Sequence, residues 1–361
     1  MRPCNQQKKK TILLVIHALN VGGGERVVCE LVKKIDRTHF QVKVLVIGKR
    51  IENDFTKTVE QLANTQYLGI TGKVSIYKIY KVFKAISNSN PDIVHSHLGG
   101  NVYSLIWALF TKNKILITAH TIPTKAFHGY TDKLVRIALK LNRLTLVAVS
   151  DKNHVEMKKY YGIDDNKCKC VNNGIDIDNF QRKVHGNFAY INVARHDENK
   201  NQALILRCFK SVHSIHPDTK LYLLGDGPTH IDLLRLKEDL QLGDEVLLLG
   251  NIDDPSKYYA ISDCYLQSSH REALPMAVIE AMAAKLPIIS TDVGGMKDVV
   301  QGNGYLVADG DEESYYQAML NVIELKKDIF DSFCLRSEEI VKGAYSSDMM
   351  TRNYERIYSF I

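Results

Sequence analysis

Residues 271–300 read REALPMAVIEAMAAKLPIISTDVGGMKDVV. Pro275 is suited to be a first helical residue, because the amide it lacks would have had no partner there. Glu272 then lies in the loop ahead of a helix, and Glu280 lies well inside it. The residues around Glu280 are apolar: Met276, Ala277, Val278, Ile279, Ala281, Met282 and Ala283. A helix apolar on nearly every side is buried, and a buried carboxylate needs hydroxyls or cations as partners. A short strand over 287–291 follows, then the polar turn Asp292-Val293-Gly294-Gly295. The helix start and the glycine turn both offer backbone N–H groups to an anion. Two acids beside such backbone suit a neutral polyol joined to a phosphate, the chemistry of a sugar nucleotide.

On either side of this segment, short apolar runs alternate with helical patterns. Strands are expected over 11–16, 42–47, 92–97, 115–120 and 145–150 in the first half, and over 189–194, 220–225, 245–250, 264–269 and 287–291 in the second. Continuous apolar strands separated by helices mean parallel sheets covered on both faces. Ten strands fit two open sheets better than one. Periodicity breaks after Asn173-Gly174-Ile175-Asp176, which puts one domain at 1–182 and a second at 183–345. The tail from about 346 to 361 reads as a helix with aromatic and apolar residues on one side.

Ligands of open parallel sheets bind beyond the carboxyl ends of the strands. The first strand is followed by Asn20-Val21-Gly22-Gly23-Gly24-Glu25, where Gly22 and Gly23 let backbone approach a phosphate. The spacing differs from the G-x-G-x-x-G dinucleotide fingerprint, which counts against a dehydrogenase. After AYINVA come Arg195 and, five residues later, Lys200, a fork and a mobile point charge able to converge on one diphosphate. Histidines end two first-half runs: His95 and His97 in DIVHSH, and His120 in ILITAH. The triplets Asp176-Ile177-Asp178 and Asp309-Gly310-Asp311 imitate a metal-binding Asp-x-Asp. The second reads more naturally as a helix start, so no metal is expected.

Glu272 and Glu280, with the flanking Leu274-Pro275 and Glu280-Ala281-Met282-Ala283, resemble the Glu-x7-Glu signature of the family 4 retaining glycosyltransferases (glycosyl transferases group 1). Gly22-Gly23-Gly24-Glu25, Arg195 with Lys200, Asn173 to Asp176 and Gly225-Asp226-Gly227-Pro228 resemble further motifs of that family. The resemblance covers about residues 12–358 and is weakest between 50 and 90. Ala194, Ala273 and Lys285 stand where the family carries glycines. The resemblance implies the GT-B fold: α/β, two facing Rossmann-like domains with parallel sheets covered by helices, and a C-terminal helix crossing back to the first domain. It implies transfer of a sugar from a nucleotide-diphosphate sugar, a UDP- or GDP-sugar, to an acceptor hydroxyl. The implied donor site comprises Gly22, Gly23, Arg195, Lys200, Gly225, Glu272, Ala273, Leu274, Pro275 and Glu280. Arg195 and Lys200 would hold the diphosphate, Glu272 the sugar and Glu280 the ribose. His120 would orient the sugar, with His97 on the acceptor side. The alternatives are an inactive scaffold of the same fold or a nucleotide-sugar epimerase, which should lack both the paired glutamates and the Arg/Lys pair.

Residues 1–180 hold 28 Lys and Arg against 14 Asp and Glu, a balance of +14, while the remainder balances at −8. So basic a first half suits an anionic partner, either a membrane surface or a phosphate-bearing glycan or lipid-linked acceptor. Nucleic acid is not expected, because no nucleic-acid motif accompanies the charge. The basic amphipathic stretch 73–87 (KVSIYKIYKVFKAIS) places Ile76, Ile79, Tyr80 and Phe83 on one helical face. No apolar run reaches the roughly 18 residues of a membrane span. The apolar run near the start is too short for a signal peptide. Seven cysteines suggest no disulfide framework. A cytoplasmic protein, peripheral on the inner face of the membrane and engaged in surface-polysaccharide or glycolipid assembly, is the expectation.

Overall fold

A computed structural model describes residues 9–20, 22–180, 182–183, 186–252, 254–272 and 274–361. Two compact units result: the described residues up to Gly174 together with Ser347–Ile361, and Ile175–Ser346.

The first unit is built on seven parallel strands: β1 (Lys10–Ile16), β2 (Phe40–Val46), β3 (Asn64–Tyr67), β4 (Ile93–His97), β5 (Ile115–Ala119), β6 (Leu144–Ala148) and β7 (Cys168–Cys170). Their spatial order is 3-2-1-4-5-6-7. Side chains alternate across a strand, so Leu13 and Val15 of β1 enter one hydrophobic core while Ile12, Leu14 and Ile16 enter the other. Both faces of the sheet are therefore covered, as uninterrupted apolar strands require. The C-terminal helix Ser347–Phe360 belongs to this unit and buries Met350, Tyr354 and Tyr358 in the second of these cores. Lys10 Nζ donates to Tyr358 O at 3.0 Å, and the Asp36 N–H donates to Glu355 Oε1 at 2.7 Å.

The helix Ile76–Asn88 corrects one expectation. Ile79, Val82, Phe83 and Ile86 face the core, but Ile76 and Tyr80 do not. They lie exposed with Tyr77, at 87%, 61% and 72%. Among the described residues no helix is long and apolar enough to cross a membrane.

The second unit carries six parallel strands: β8 (Ala189–Val193), β9 (Lys220–Leu224), β10 (Val246–Leu248), β11 (Cys264–Gln267), β12 (Ile288–Thr291) and β13 (Gly304–Val307), ordered 10-9-8-11-12-13. Ile191 and Ile288 point into one core, Tyr190 and Ile289 into the other. The division between units falls at Gly174/Ile175, ahead of the expected residue 182. The segment that follows lacks periodicity but still packs. Ile175 is 1% exposed, donates to Tyr345 O at 2.9 Å, and with Ile177 and Phe180 joins the second unit's core. Arg182 pairs with Asp263, and the Lys183 N–H bonds to Ala260 O at 2.7 Å.

Candidate functional site

The strand order of the second sheet reverses between β8 and β11, the position where open parallel sheets take ligands. The loop after β8 carries Arg195 to Asn201, and the loop after β11 carries Ser268 to Glu272. Hydrogen bonds stitch the two loops together. The His270 N–H donates to Asn199 O at 2.8 Å, and Asn199 Nδ2 donates to Arg271 O at 3.0 Å. Ser268 Oγ lies 2.7 and 2.9 Å from the carbonyl oxygens of Lys200 and Asn201. Across this seam the Lys200 ammonium forms an ion pair with Glu272 Oε1, which also accepts from Ser269 Oγ at 2.8 Å. Lys200 and Glu272 are mostly buried, whereas the Arg195 side chain is 68% exposed, its Nε 3.9 Å from Asp197 Oδ2. Lys200 thus meets a carboxylate, and Arg195 extends into solvent.

Glu280 sits inside the helix Met276–Ala283 and is 6% exposed. Tyr259 OH donates to its Oε2 at 3.3 Å. Burial, then the charges of Glu272 and Glu280, push the nearby Tyr265 phenol up from its ordinary value. Pro275 precedes this helix rather than opening it, because its ψ of 132° is extended. Leu274 packs against the core, and Ala273 lies outside the described residues. Lys285 adopts φ +61°, a left-handed conformation that favours glycine. Its ammonium lies 3.1 Å from Glu338 Oε2.

Gly225 follows β9 with φ +130°, and a Cβ there would lie 1.9 Å from Ala194 O. The turn it opens therefore presses on the strand exit that presents Arg195. Gly225→Ala is expected to destabilise the protein by about 3 kcal/mol, the combined effect of backbone strain and overpacking. Urea unfolding measures this, and an unchanged midpoint would contradict the close approach. Beside this turn, the buried His196 of the loop after β8 stacks on His230, the first residue of the helix His230–Asp239, with its Nδ1 2.9 Å from His230 Nδ1. Burial lowers the His196 pKa to about 4, so the ring is neutral near pH 7. Asp311 caps the helix Glu312–Ile323, accepting the Ser314 N–H at 3.0 Å. Among the described residues no group of three or more His, Cys, Asp or Glu is placed to hold a metal.

In the first unit the order reverses between β1 and β4. Gly22 and Gly23 follow β1 at the start of the helix Gly23–Lys34, with the Arg26 N–H bonded to Gly22 O at 2.9 Å. His97 ends β4, and His120 follows β5. His97 is fully buried, and its Nδ1 lies 3.2 Å from His120 Nε2. Burial lowers the pKa of His120 to about 4 and holds that of His97 well below its ordinary value.

Arg195, Lys200, Glu272 and Glu280 stand out in the sequence, but Ser268, Ser269, Asn199 and Tyr259, which hydrogen-bond to these residues or their loops, do not. Polar residues at the exit of β11 (Gln267, Ser268, Ser269) were the available signal, since an apolar strand that turns polar at its carboxyl end is organising something there.

The family model described as Glycosyl transferases group 1 matches residues 175–331, and that described as Glycosyltransferase Family 4 matches residues 21–179. An uncharacterized glycosyltransferase of Methanocaldococcus jannaschii is 30% identical over 239 residues, 60% of this chain and 59% of that protein. The N-acetylgalactosamine-N,N'-diacetylbacillosaminyl-diphospho-undecaprenol 4-alpha-N-acetylgalactosaminyltransferase of Campylobacter jejuni is 25% identical over 331 residues, 86% of this chain and 89% of that protein. The Anabaena protein HepE, solved in complex with UDP and glucose, superposes with a TM-score of 0.77 at 18% identity, covering 98% of this chain and 100% of that one. With both halves matched and both sheets in the order found, the chain belongs to the group 1, family 4 glycosyltransferases of the GT-B fold.

Proposed function

We propose that the protein transfers a sugar from a nucleotide-diphosphate sugar to the hydroxyl of a glycan or lipid-linked acceptor, with retention at the anomeric carbon. The observation that carries this reading is the meeting of Lys200 with Glu272 at the reversal of the second sheet, with Arg195 exposed beside them and Glu280 buried in the following helix. A diphosphate needs cations, and a sugar and ribose need hydroxyl acceptors. Arg195 and Lys200 neutralise the diphosphate, Glu272 holds the sugar, and Glu280 holds the ribose hydroxyls. Gly22, Gly23 and Gly225 let backbone approach the donor, and the amide of Leu274 adds a donor beside the sugar. His120 orients the sugar, and the acceptor side lies with the first unit near His97.

In the reaction the bond from the anomeric carbon to the phosphate oxygen breaks, and a bond to the acceptor oxygen forms on the same face. The departing phosphate takes the acceptor's proton. Charge develops on that phosphate, so the two cations act where electrostatic stabilisation is largest. The related C. jejuni enzyme acts on a diphospho-undecaprenol acceptor, and the +14 balance of residues 1–180 suits a similar lipid-bound phosphate. Exposed Ile76, Tyr77 and Tyr80, flanked by Lys73, Lys78, Lys81 and Lys84, suit contact with anionic lipid on the inner face of the cytoplasmic membrane.

Thermal-shift titration with UDP-, GDP-, ADP- and CMP-sugars, without metal and then with EDTA, tests the reading. At a hundredfold excess over Kd, one class should stabilise the chain by about 2.7 kcal/mol, unaffected by EDTA. A UDP- or GDP-sugar is the expected class. No stabilisation by any donor, with or without anionic vesicles, would favour the inactive scaffold.

A further inference from the structure

His95, His97 and His120 form a row of rings at the carboxyl edge of the first sheet. His95 and His97 are two apart on β4 and so face the same side. Their ring centroids are 4.1 Å apart, and those of His97 and His120 are 5.4 Å apart. The far end of the row is fully hydrogen-bonded. His95 Nδ1 lies 2.7 Å from Tyr358 OH, His95 Nε2 lies 2.8 Å from Thr118 Oγ1, and Thr118 Oγ1 lies 2.9 Å from Tyr354 OH. Tyr354 and Tyr358 come from the C-terminal helix, and both are fully buried. His95 is thus clamped, and His97 packs against a fixed ring.

The near end is different. Between His97 Nδ1 and His120 Nε2 there is a single hydrogen bond, 3.2 Å long. Among the described residues, His97 Nε2 and His120 Nδ1 are buried with no hydrogen-bond partner. Both rings are held neutral by burial, and a neutral imidazole has one donor and one acceptor nitrogen. If His120 donated the shared proton, His97 would carry its own proton on Nε2, a buried N–H with no acceptor. Such orphan donors are rare and costly. If His97 donates, its Nε2 is a bare lone pair and the unpartnered N–H passes to His120 Nδ1. That nitrogen is buried as well, but His120 is a partly exposed residue whereas His97 is fully buried, so an incoming ligand oxygen can satisfy the proton on His120 and not one on His97.

We propose that His97 is a positioning residue for His120: by donating its Nδ1 proton to His120 Nε2 it holds His120 in the Nδ1-protonated tautomer, ready to donate to an oxygen of the nucleotide-sugar donor. The inference rests on reading His120 as a ligand-facing residue. It assigns His95, clamped by the C-terminal helix and Thr118, the task of holding the His97 ring in place.

Nitrogen-15 spectra of the full chain labelled at histidine, with His120 assigned by His120→Ala, read the tautomer without any substrate. The wild type is expected to show a protonated Nδ1 on His120. His97→Leu removes the donor and should abolish that signature. His97→Asn, whose amide can occupy the place of Nδ1, should retain it. Should the Leu variant fail to fold, His97→Gln, with its amide placed nearer Nε2, serves as the non-donating variant. In transfer assays the non-donating variant should lose about tenfold to a hundredfold in kcat, the usual size of such supporting effects, with donor KM moving much less. The Asn variant should recover most of the loss. Wild-type His120 protonated on Nε2, or the same tautomer in the non-donating variant, overturns the proposal. Unchanged turnover in His120→Ala would instead overturn the reading of His120 itself.

Discussion

Lys200→Met is expected to lower kcat for sugar transfer by about 10²- to 10³-fold, the effect of removing one group that stabilises charge developing in a transition state. Lys200 is held by Glu272, and both side chains are mostly buried. Donor binding on the proposed reading exchanges partners: the ammonium turns to the diphosphate, and the carboxylate is released to the sugar hydroxyls. Arg195 has no comparable exchange to make, because its side chain is already 68% exposed. Arg195→Ala removes the second cation from the developing charge and should lower kcat as well as raise donor KM. Lys200→Met also leaves the Glu272 carboxylate with its Ser269 bond but without the cation. Breaking a buried pair costs about 3–5 kcal/mol, less here because a fifth of Lys200 is exposed. A double-mutant cycle with Glu272→Gln separates the two effects. The second substitution should restore the stability of Lys200→Met but not its turnover. Wild-type kcat and donor affinity in Lys200→Met would sink the diphosphate assignment.

The fold was legible because most of its strands are apolar runs followed by loops with their own chemistry. What escaped was wherever structure does not depend on an apolar run. β3 reads Asn64-Thr65-Gln66-Tyr67 and is an edge strand with half-exposed side chains, so nothing in its pattern announces it. Ile175, Ile177 and Phe180 pack without a regular period, so the pattern does not mark the division between the units at Gly174/Ile175. On the helix Ile76–Asn88 the apolar spacing identified a face, but Ile76 and Tyr80 are left uncovered by the fold. In the site, Glu272 and Glu280 stand out because a carboxylate in or beside an apolar helix is anomalous. Their supports do not, because serine and tyrosine are ordinary anywhere. The pairing of His97 with His120 depends on the register of β4 against β5, which sets His97 opposite Thr118. Clamping of His95 depends on a helix more than 250 residues away in the chain. Neither relation can be read from local pattern.

Glu280→Ala is expected to weaken donor binding by roughly 10³-fold and abolish transfer at ordinary donor concentrations. Val278, Ile279, Ala281, Met282 and Ala283 surround Glu280 in sequence, each no more than 1% exposed. The helix therefore holds the carboxylate rigidly at the reversal of the second sheet, where the donor nucleotide is proposed to lie. A carboxylate can accept from two vicinal hydroxyls at once, and each such bond to a charged group contributes about 1.5–3 kcal/mol. Removing both gives the expected thousandfold loss at about 1.4 kcal/mol per tenfold. Glu280→Gln discriminates binding from folding. Its amide oxygen can still accept from Tyr259 OH, which reaches Oε2 at 3.3 Å in the native chain, so the melting temperature should stay near that of the wild type. One charged acceptor is nonetheless lost, and donor affinity should fall about tenfold to a hundredfold. Calorimetric titration with the preferred nucleotide sugar measures both variants. A nucleoside diphosphate lacking the sugar should show the same loss, because the ribose is common to both. Equal binding of the nucleoside diphosphate by wild type and Glu280→Ala, with the loss confined to the complete donor, would move Glu280 from the ribose to the transferred sugar. Undiminished binding of both ligands would remove it from the site.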